Sequence, residues 1–131
     1  MRVVVDTNVY ISSLLFKGKA REAYDLVIAN AELYISDFIS SELSDKLHSK
    51  FSISSKTVRE IITSVLSVAD NVPATTPLSK ICRDADDNYI LQLCDTIAAD
   101  FLITGDKDLL ILESYKSTQI ISPNDFMKLV V

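Results

Sequence analysis

Short β-branched or apolar runs alternate with segments in which apolar residues recur every three or four positions. Arg2–Val5 reads as a buried strand that ends at Asp6. Val9, Ile11, Leu14 and Leu15 then fit a short helix, stopped by Phe16-Lys17-Gly18-Lys19. Ala23, Leu26, Val27 and Ile28 give a second helix, and Leu33–Ser36 a second strand. Phe38, Ile39, Leu43 and Leu47 follow at helical spacing behind Ser36, a good N-cap. Polar residues around 49–57 separate that helix from one lined by Val58, Ile61, Ile62, Val65 and Leu66. Thr57 and Glu60 have the spacing of a capping box at its start.

The second half repeats the alternation. Asn71-Val72 is a weak third strand, and Pro73–Ser79 is a loop. A helix starting near Asp87 carries Ile90, Leu91, Cys94 and Ile97 inward. Phe101–Thr104 is a fourth strand ending at Gly105, Leu109–Leu112 one or two helical turns, and Gln119–Ile121 a fifth strand. Ser122-Pro123-Asn124-Asp125 is a strong helix start, with Ser as cap and Pro at the first position. Strands alternating with helices imply an α/β fold: a parallel sheet with helices on both faces. A length of 131 residues suits one domain, 1–131.

Composition narrows the class. Hydrophobic residues make up 48% and charged residues 24%, as in ordinary globular proteins, so a disordered or disulfide-stapled chain is excluded. No apolar run approaches the ~18 residues that span a bilayer. Asp6 comes too early for a signal peptide, and Cys82 and Cys94 allow at most one bridge, so a reduced, cytoplasmic setting is expected.

Charge carries more information. The chain has 13 Asp but only 5 Glu, and Asp suits caps, turns and rigid metal ligands better than helix surfaces. Residues 1–66 balance 8 Lys/Arg against 8 Asp/Glu, whereas residues 67–131 hold 5 against 10, so the whole net charge of −5 lies in the second half. Seven acids and only one base, Lys107, lie between Asp84 and Asp108. Such a cluster repels itself unless a cation or a partner neutralises it. The global charge argues against non-specific coating of nucleic acid, but not against a nuclease gripping a short stretch.

Asp6 and Asp106 follow strands almost at once. In open α/β sheets, ligands bind beyond the carboxyl ends of strands where the strand order reverses, so neighbouring first and fourth strands would bring these two acids together. Asp87 opens the preceding helix, and Glu42 lies one to two turns into the helix behind Ser36. Four converging carboxylates call for a hard divalent cation, Mg²⁺ or Mn²⁺, which suits water activation at a phosphodiester. His48 and the two separated cysteines do not make a zinc site of usual spacing.

These segments resemble the PIN domain family: Val3-Val4-Val5-Asp6-Thr7-Asn8-Val9; Ser36 with Glu42-Leu43; Asp84-Ala85-Asp86-Asp87-Asn88; Ile103-Thr104-Gly105-Asp106-Lys107-Asp108-Leu109-Leu110; and Ile121-Ser122-Pro123-Asn124-Asp125-Phe126. Each is weak alone, but their order over the whole chain is specific. The likeness is greatest to prokaryotic PIN proteins of the toxin type, relatives of VapC-type ribonucleases of toxin–antitoxin pairs. It implies a three-layer α/β/α fold with a five-stranded sheet of order 3-2-1-4-5. It also implies Mg²⁺- or Mn²⁺-dependent cleavage of single-stranded RNA and an antitoxin protein partner, with homo-oligomers open. The family's metal-holding acids map to Asp6, Glu42, Asp87 and Asp106, with Asp108 an outer acid and Asn8 and Thr104 in support. Asp84 and Asp86 lie close enough to compete for the role given to Asp87, whose register fits best.

Plainer roles exist for each residue. Asp6 and Asp87 could be helix caps or first-turn acids, Glu42 a solvated helix residue, and Asp106 and Asp108 turn residues. The metal reading rests on all four acids together. Lys17, Lys19 and Arg21 could contact RNA phosphate or form a solvated turn, and the cysteines suit core or half-buried thiols. The functions to weigh are a metal-dependent endoribonuclease and a non-catalytic PIN-like module binding RNA or protein. A phosphatase of Asp-x-Asp type is disfavoured by Asn at position 8, and a receiver by the lack of a paired acid before the first strand's end.

Overall fold

In the computed structural model, which describes residues 1–130, the strand at Arg2–Val5 (β1) lies at the middle of the sheet. Val3, Val4 and Val5 are buried, which fits a continuous β-branched run covered on both faces. Its partners are β2 (Glu32–Ile35) on one side and β4 (Phe101–Ile103) on the other, both parallel to it. Outside β2 lies β3 (Asp70–Asn71), and outside β4 lies β6 (Thr118–Ile121), again parallel. These five reproduce the expected order. A sixth strand, β5 (Ser114–Tyr115), pairs antiparallel with β6 and forms the edge, so the full order is β3-β2-β1-β4-β6-β5.

Helices connect and flank these strands. They are α1 (Thr7–Leu15), α2 (Lys19–Asn30), α3 (Asp37–Ser49), α4 (Ser55–Leu66), α5 (Ala85–Thr96), α6 (Lys107–Leu110) and α7 (Pro123–Val130). Ser36 caps α3 by accepting from the Ile39 amide, and Ser122 accepts from the Asp125 amide, both as expected. Three helix starts differ from the sequence reading. α6 begins at Lys107 rather than Leu109, because the Asp106 side chain accepts from the Asp108 amide. α4 begins earlier, with Ser54 rather than Thr57 as cap, because the Ser54 hydroxyl takes the Thr57 amide at 3.2 Å. α5 also begins earlier, because Asp84 accepts from the Asp86 amide at 3.0 Å and makes Ala85 the first helical residue. The third strand is shifted one residue to Asp70–Asn71, although the Val72 amide still donates to the Ile35 carbonyl.

The core lies between sheet and helices, centred on Ile35, Leu43, Leu91, Leu102 and Ile103. Cys94 belongs to it, Cys82 is half-buried, and both thiols are free. No helix among the described residues is long and apolar enough to cross a membrane.

Candidate active site

Strand order reverses at β1 and β4: the chain builds outward through β2 and β3, then returns to the other side of β1. Val5 pairs with Ile103, and the Asp6 amide donates to the Ile103 carbonyl at 3.0 Å. The next residue of each strand is therefore Asp6 on one side and Thr104 on the other. The Thr104 hydroxyl donates to Asp6 Oδ2 at 2.8 Å and accepts the Asp106 amide at 3.0 Å. One buried hydroxyl thus holds the acids that follow two strands in one crevice.

Asp6 stands at the N-cap position of α1, yet its side chain caps no amide. It is 4% exposed, and burial is the first cause that raises its pKa above the ordinary carboxylate value. Hydrogen bonds from the Thr104 hydroxyl and the Thr7 backbone amide oppose the rise, while repulsion from Glu42 and Asp106 adds to it. The plain capping role does not describe this residue.

Glu42, half-buried on α3, reaches the same crevice and accepts a hydrogen bond from the Thr7 hydroxyl. Asp87 sits in the first turn of α5 and is 7% exposed, with Oδ2 buried and without a hydrogen-bond partner. Burial first, then the Asp106, Asp6 and Asp84 carboxylates, and last a hydrogen bond with Asp106 that favours the protonated acid, push its pKa up to about 7. Asp106 is partly exposed at the start of α6, and its Oδ1 accepts the Asp108 amide at 2.9 Å. So Asp106 does cap a helix, through one oxygen only.

The supporting residues divide. Asp108 is exposed and lies 4.0 Å from Arg83, a solvated pair of little energetic weight. Asp84 and Asp86 are exposed, Asp84 being the α5 cap. The Asn8 side chain is exposed and accepts from Lys46 Nζ at 3.3 Å. Of the loop cations, Lys17 is exposed, Lys19 reaches Asn124 at 3.3 Å, and Arg21 is committed to the Ser13 and Leu14 carbonyls at the C-terminus of α1. A cation there also offsets the negative end of the helix dipole.

Three participants escaped the sequence reading. Thr7 orients Glu42, Lys46 carries a cation one turn beyond Glu42, and Cys82 lies close to Asp87, Asp106, Asp84 and Asp108. Burial, then those acids, raise the Cys82 pKa. The i, i+4 spacing of Glu42 and Lys46 was a usable signal. The other two depend on packing alone.

The donor set is all oxygen, and the orphaned Asp87 oxygen is the kind of atom a hard cation or its water satisfies. Among the described residues, no three Asp, Glu, His or Cys side chains are grouped as a ready-made cation site.

Comparison with known proteins fits this architecture. The PIN domain family profile matches residues 2–108. The uncharacterized protein MJ1680 of Methanocaldococcus jannaschii is 34% identical over 119 residues, covering 86% of this chain and 75% of its own length. A chain from the crystal structure of VapBC2 from Rickettsia felis bound to a DNA fragment from their promoter superposes with a TM-score of 0.67. It covers 93% of this chain and 98% of that one at 12% identity, a likeness of fold. With the sheet order and the Asp6 crevice already in place, the chain belongs to the PIN domain family.

Proposed function

We propose that this protein is a Mg²⁺- or Mn²⁺-dependent endoribonuclease that cuts single-stranded RNA and serves as the toxin of a toxin–antitoxin pair. The observation that carries the reading is the crevice itself. Asp6 and Asp87 are buried carboxylates, Asp87 Oδ2 has no partner, and Asp6 interacts with Glu42, Asp106 and Asp87. Burying like charges without compensation is costly, and a divalent cation is the simplest compensation for an oxygen-only donor set.

Asp6, Glu42, Asp87 and Asp106 would hold the metal, which when bound supplies an activated water and offsets charge on the phosphate. Thr104 fixes the Asp6 carboxylate and Thr7 fixes Glu42, so two of the four acids enter with set orientation. Without a cation Asp87 has its pKa pushed up to about 7, and a bound cation would favour its ionised, metal-holding form. The fold shared with a chain of VapBC2 fits an antitoxin partner, in line with the sequence resemblance.

One observation favours a non-catalytic binding module instead: among the described residues, no three acids are grouped as a ready-made cation site. A single assay separates the two readings. End-labelled single-stranded RNA is incubated with the protein in Mn²⁺ and in EDTA, beside the same sequence as DNA. The nuclease reading expects RNA cleavage that EDTA and Asp6→Asn both abolish. Cleavage absent at every metal concentration would leave the binding module.

A further inference from the structure

A seam between α1 and α3 leads away from the acid crevice. Three side-chain contacts cross it in order: Thr7 to Glu42, Asn8 to Lys46, and Phe16 to Phe51. Since both partners advance along their chains together, α1 and α3 run in the same direction. The seam therefore begins at the crevice with Glu42 and ends at an aromatic pair. From Asn8 to Phe16 the helix rises about 12 Å, at ~1.5 Å per residue.

The far end has the features of a stacking platform. Phe16 is 56% exposed and Phe51 40%, unusual for phenylalanines with a core available. Their rings meet edge to face at 6.4 Å, leaving ring surface open. Each is flanked in the chain by an exposed lysine, Lys17 after Phe16 and Lys50 before Phe51. Between platform and crevice stands Lys46, in a groove it shares with Glu42, Ser49, Asp45 and Asp86. Its ammonium is the cation of that otherwise acidic groove.

Cations spaced with open aromatic faces are the chemistry of single-stranded nucleic acid: phosphates take the cations and bases take the rings, whatever the sequence. Lys46, with the exposed Lys17 and Lys50 next in the chain to the two rings, puts cations and open aromatic surface beside the acids of a chain whose net charge is −5. The geometry points to this seam as the substrate track: Lys46 takes a backbone phosphate next to the crevice, and the Phe16–Phe51 pair stacks a base farther along the same strand. The inference rests on the nuclease reading for its direction, from crevice to platform, but its contacts are testable without cleavage.

The test measures binding of a short fluorescein-labelled single-stranded RNA to the full chain in EDTA, followed by cleavage kinetics in Mn²⁺. Replacing both rings by alanine, Phe16→Ala with Phe51→Ala, should weaken binding about tenfold, within the range of one lost stacking contact. The leucine pair, which keeps apolar bulk, should weaken it as well, whereas Phe16→Tyr with Phe51→Tyr should bind like wild type. Lys46→Gln should reduce the salt dependence of log K by about 0.7, the value for one phosphate contact on a single strand. In Mn²⁺ the ring variants should raise KM and leave kcat in place. Wild-type affinity and salt slope in folded alanine, leucine and Lys46 variants would overturn the track and leave the bare rings to a protein partner. So would a wild type that binds no RNA. If the variants show the expected binding pattern but wild type cuts nothing, the track stands and the nuclease reading fails.

Discussion

The Thr104 hydroxyl donates to Asp6 Oδ2 across the β1–β4 pair, joining residues 98 apart in the chain at 2.8 Å. That bond converts a sheet register into the spacing of two candidate-site acids. Thr104 is fully buried, and the same oxygen accepts the Asp106 amide, so its loss is felt by both acids.

Thr104→Val keeps the shape and removes the hydroxyl. It leaves the buried Asp6 oxygen and the Asp106 amide short of a partner, at a cost of about 1–3 kcal/mol. Thr104→Ser should recover most of that stability and most of the cleavage. Denaturant melts of both variants check this, and a valine variant as stable as wild type would contradict it.

The acids also fix a pH dependence. Asp87 has a folded-state pKa about 7 against an ordinary value of 3.8, and that of Asp6 is raised too. The folded state therefore binds protons more tightly than the unfolded chain. Stability from these groups is full below about pH 4 and is lost as pH rises toward 7. In EDTA, the difference between wild type and an Asp87→Asn variant should shift across that window, with wild type losing stability relative to the variant as pH rises. Saturating Mn²⁺ should shrink the loss, because a bound cation favours the ionised acids. Melting temperatures across the pH range, with and without metal, give the comparison.

Asp84 and Asp87 should separate cleanly. Asp84→Asn leaves an equally good helix cap and should change cleavage little. Asp87→Asn should lower cleavage by about hundredfold or more, at least the upper end of what partners of a metal ligand are worth. Equal losses in the RNA assay would mean that the wrong acid of the cluster has been given the site.

Much of this was legible in the chain. β1 was readable because Val3-Val4-Val5 is β-branched and terminated by a carboxylate, and α7 because Ser122-Pro123 starts a helix unambiguously. Asp6, Asp87 and Asp106 could be named because they follow strands or open a helix, whereas Glu42, one to two turns into α3, needed the family resemblance. What was not legible turns on the scarcity of glycine. The β5–β6 hairpin has no Asn-Gly or Asp-Gly signal: Lys116 takes the positive φ of 52° instead. The α5 start was misplaced because three acids in the Asp84–Asp87 stretch all suit a cap, and only geometry shows that Asp84 serves. The hydroxyl partners Thr7 and Thr104 gain their roles from contacts that no local pattern encodes, although Thr104 was singled out through the family resemblance.

The same scarcity gives a stability prediction. Ala98 closes α5 at φ 49°, with its amide on the Asp95 carbonyl and the Ala99 amide on the Cys94 carbonyl, the paired bonds of a Schellman ending. That position prefers glycine. Ala98 is exposed, so Ala98→Gly loses no packing and should stabilise the protein by about 0.5–1 kcal/mol, the relief of left-handed strain less the added unfolded-state entropy. A thermal melt of the variant reads this directly, and a lower melting temperature would contradict the assignment.

The central claim is that Asp6 is a metal-holding acid and not a helix cap. Asp6→Asn removes a buried charge while nearly keeping its shape, and its side-chain oxygen can still accept from the Thr104 hydroxyl. The deciding measurement is a set of thermal melts of wild type and Asp6→Asn, each with EDTA and with millimolar-order Mn²⁺. The account predicts that without metal the variant is at least as stable as wild type, because like-charge repulsion is relieved, and that Mn²⁺ stabilises wild type far more than the variant. A variant that is less stable without metal yet gains as much from Mn²⁺ as wild type would contradict it.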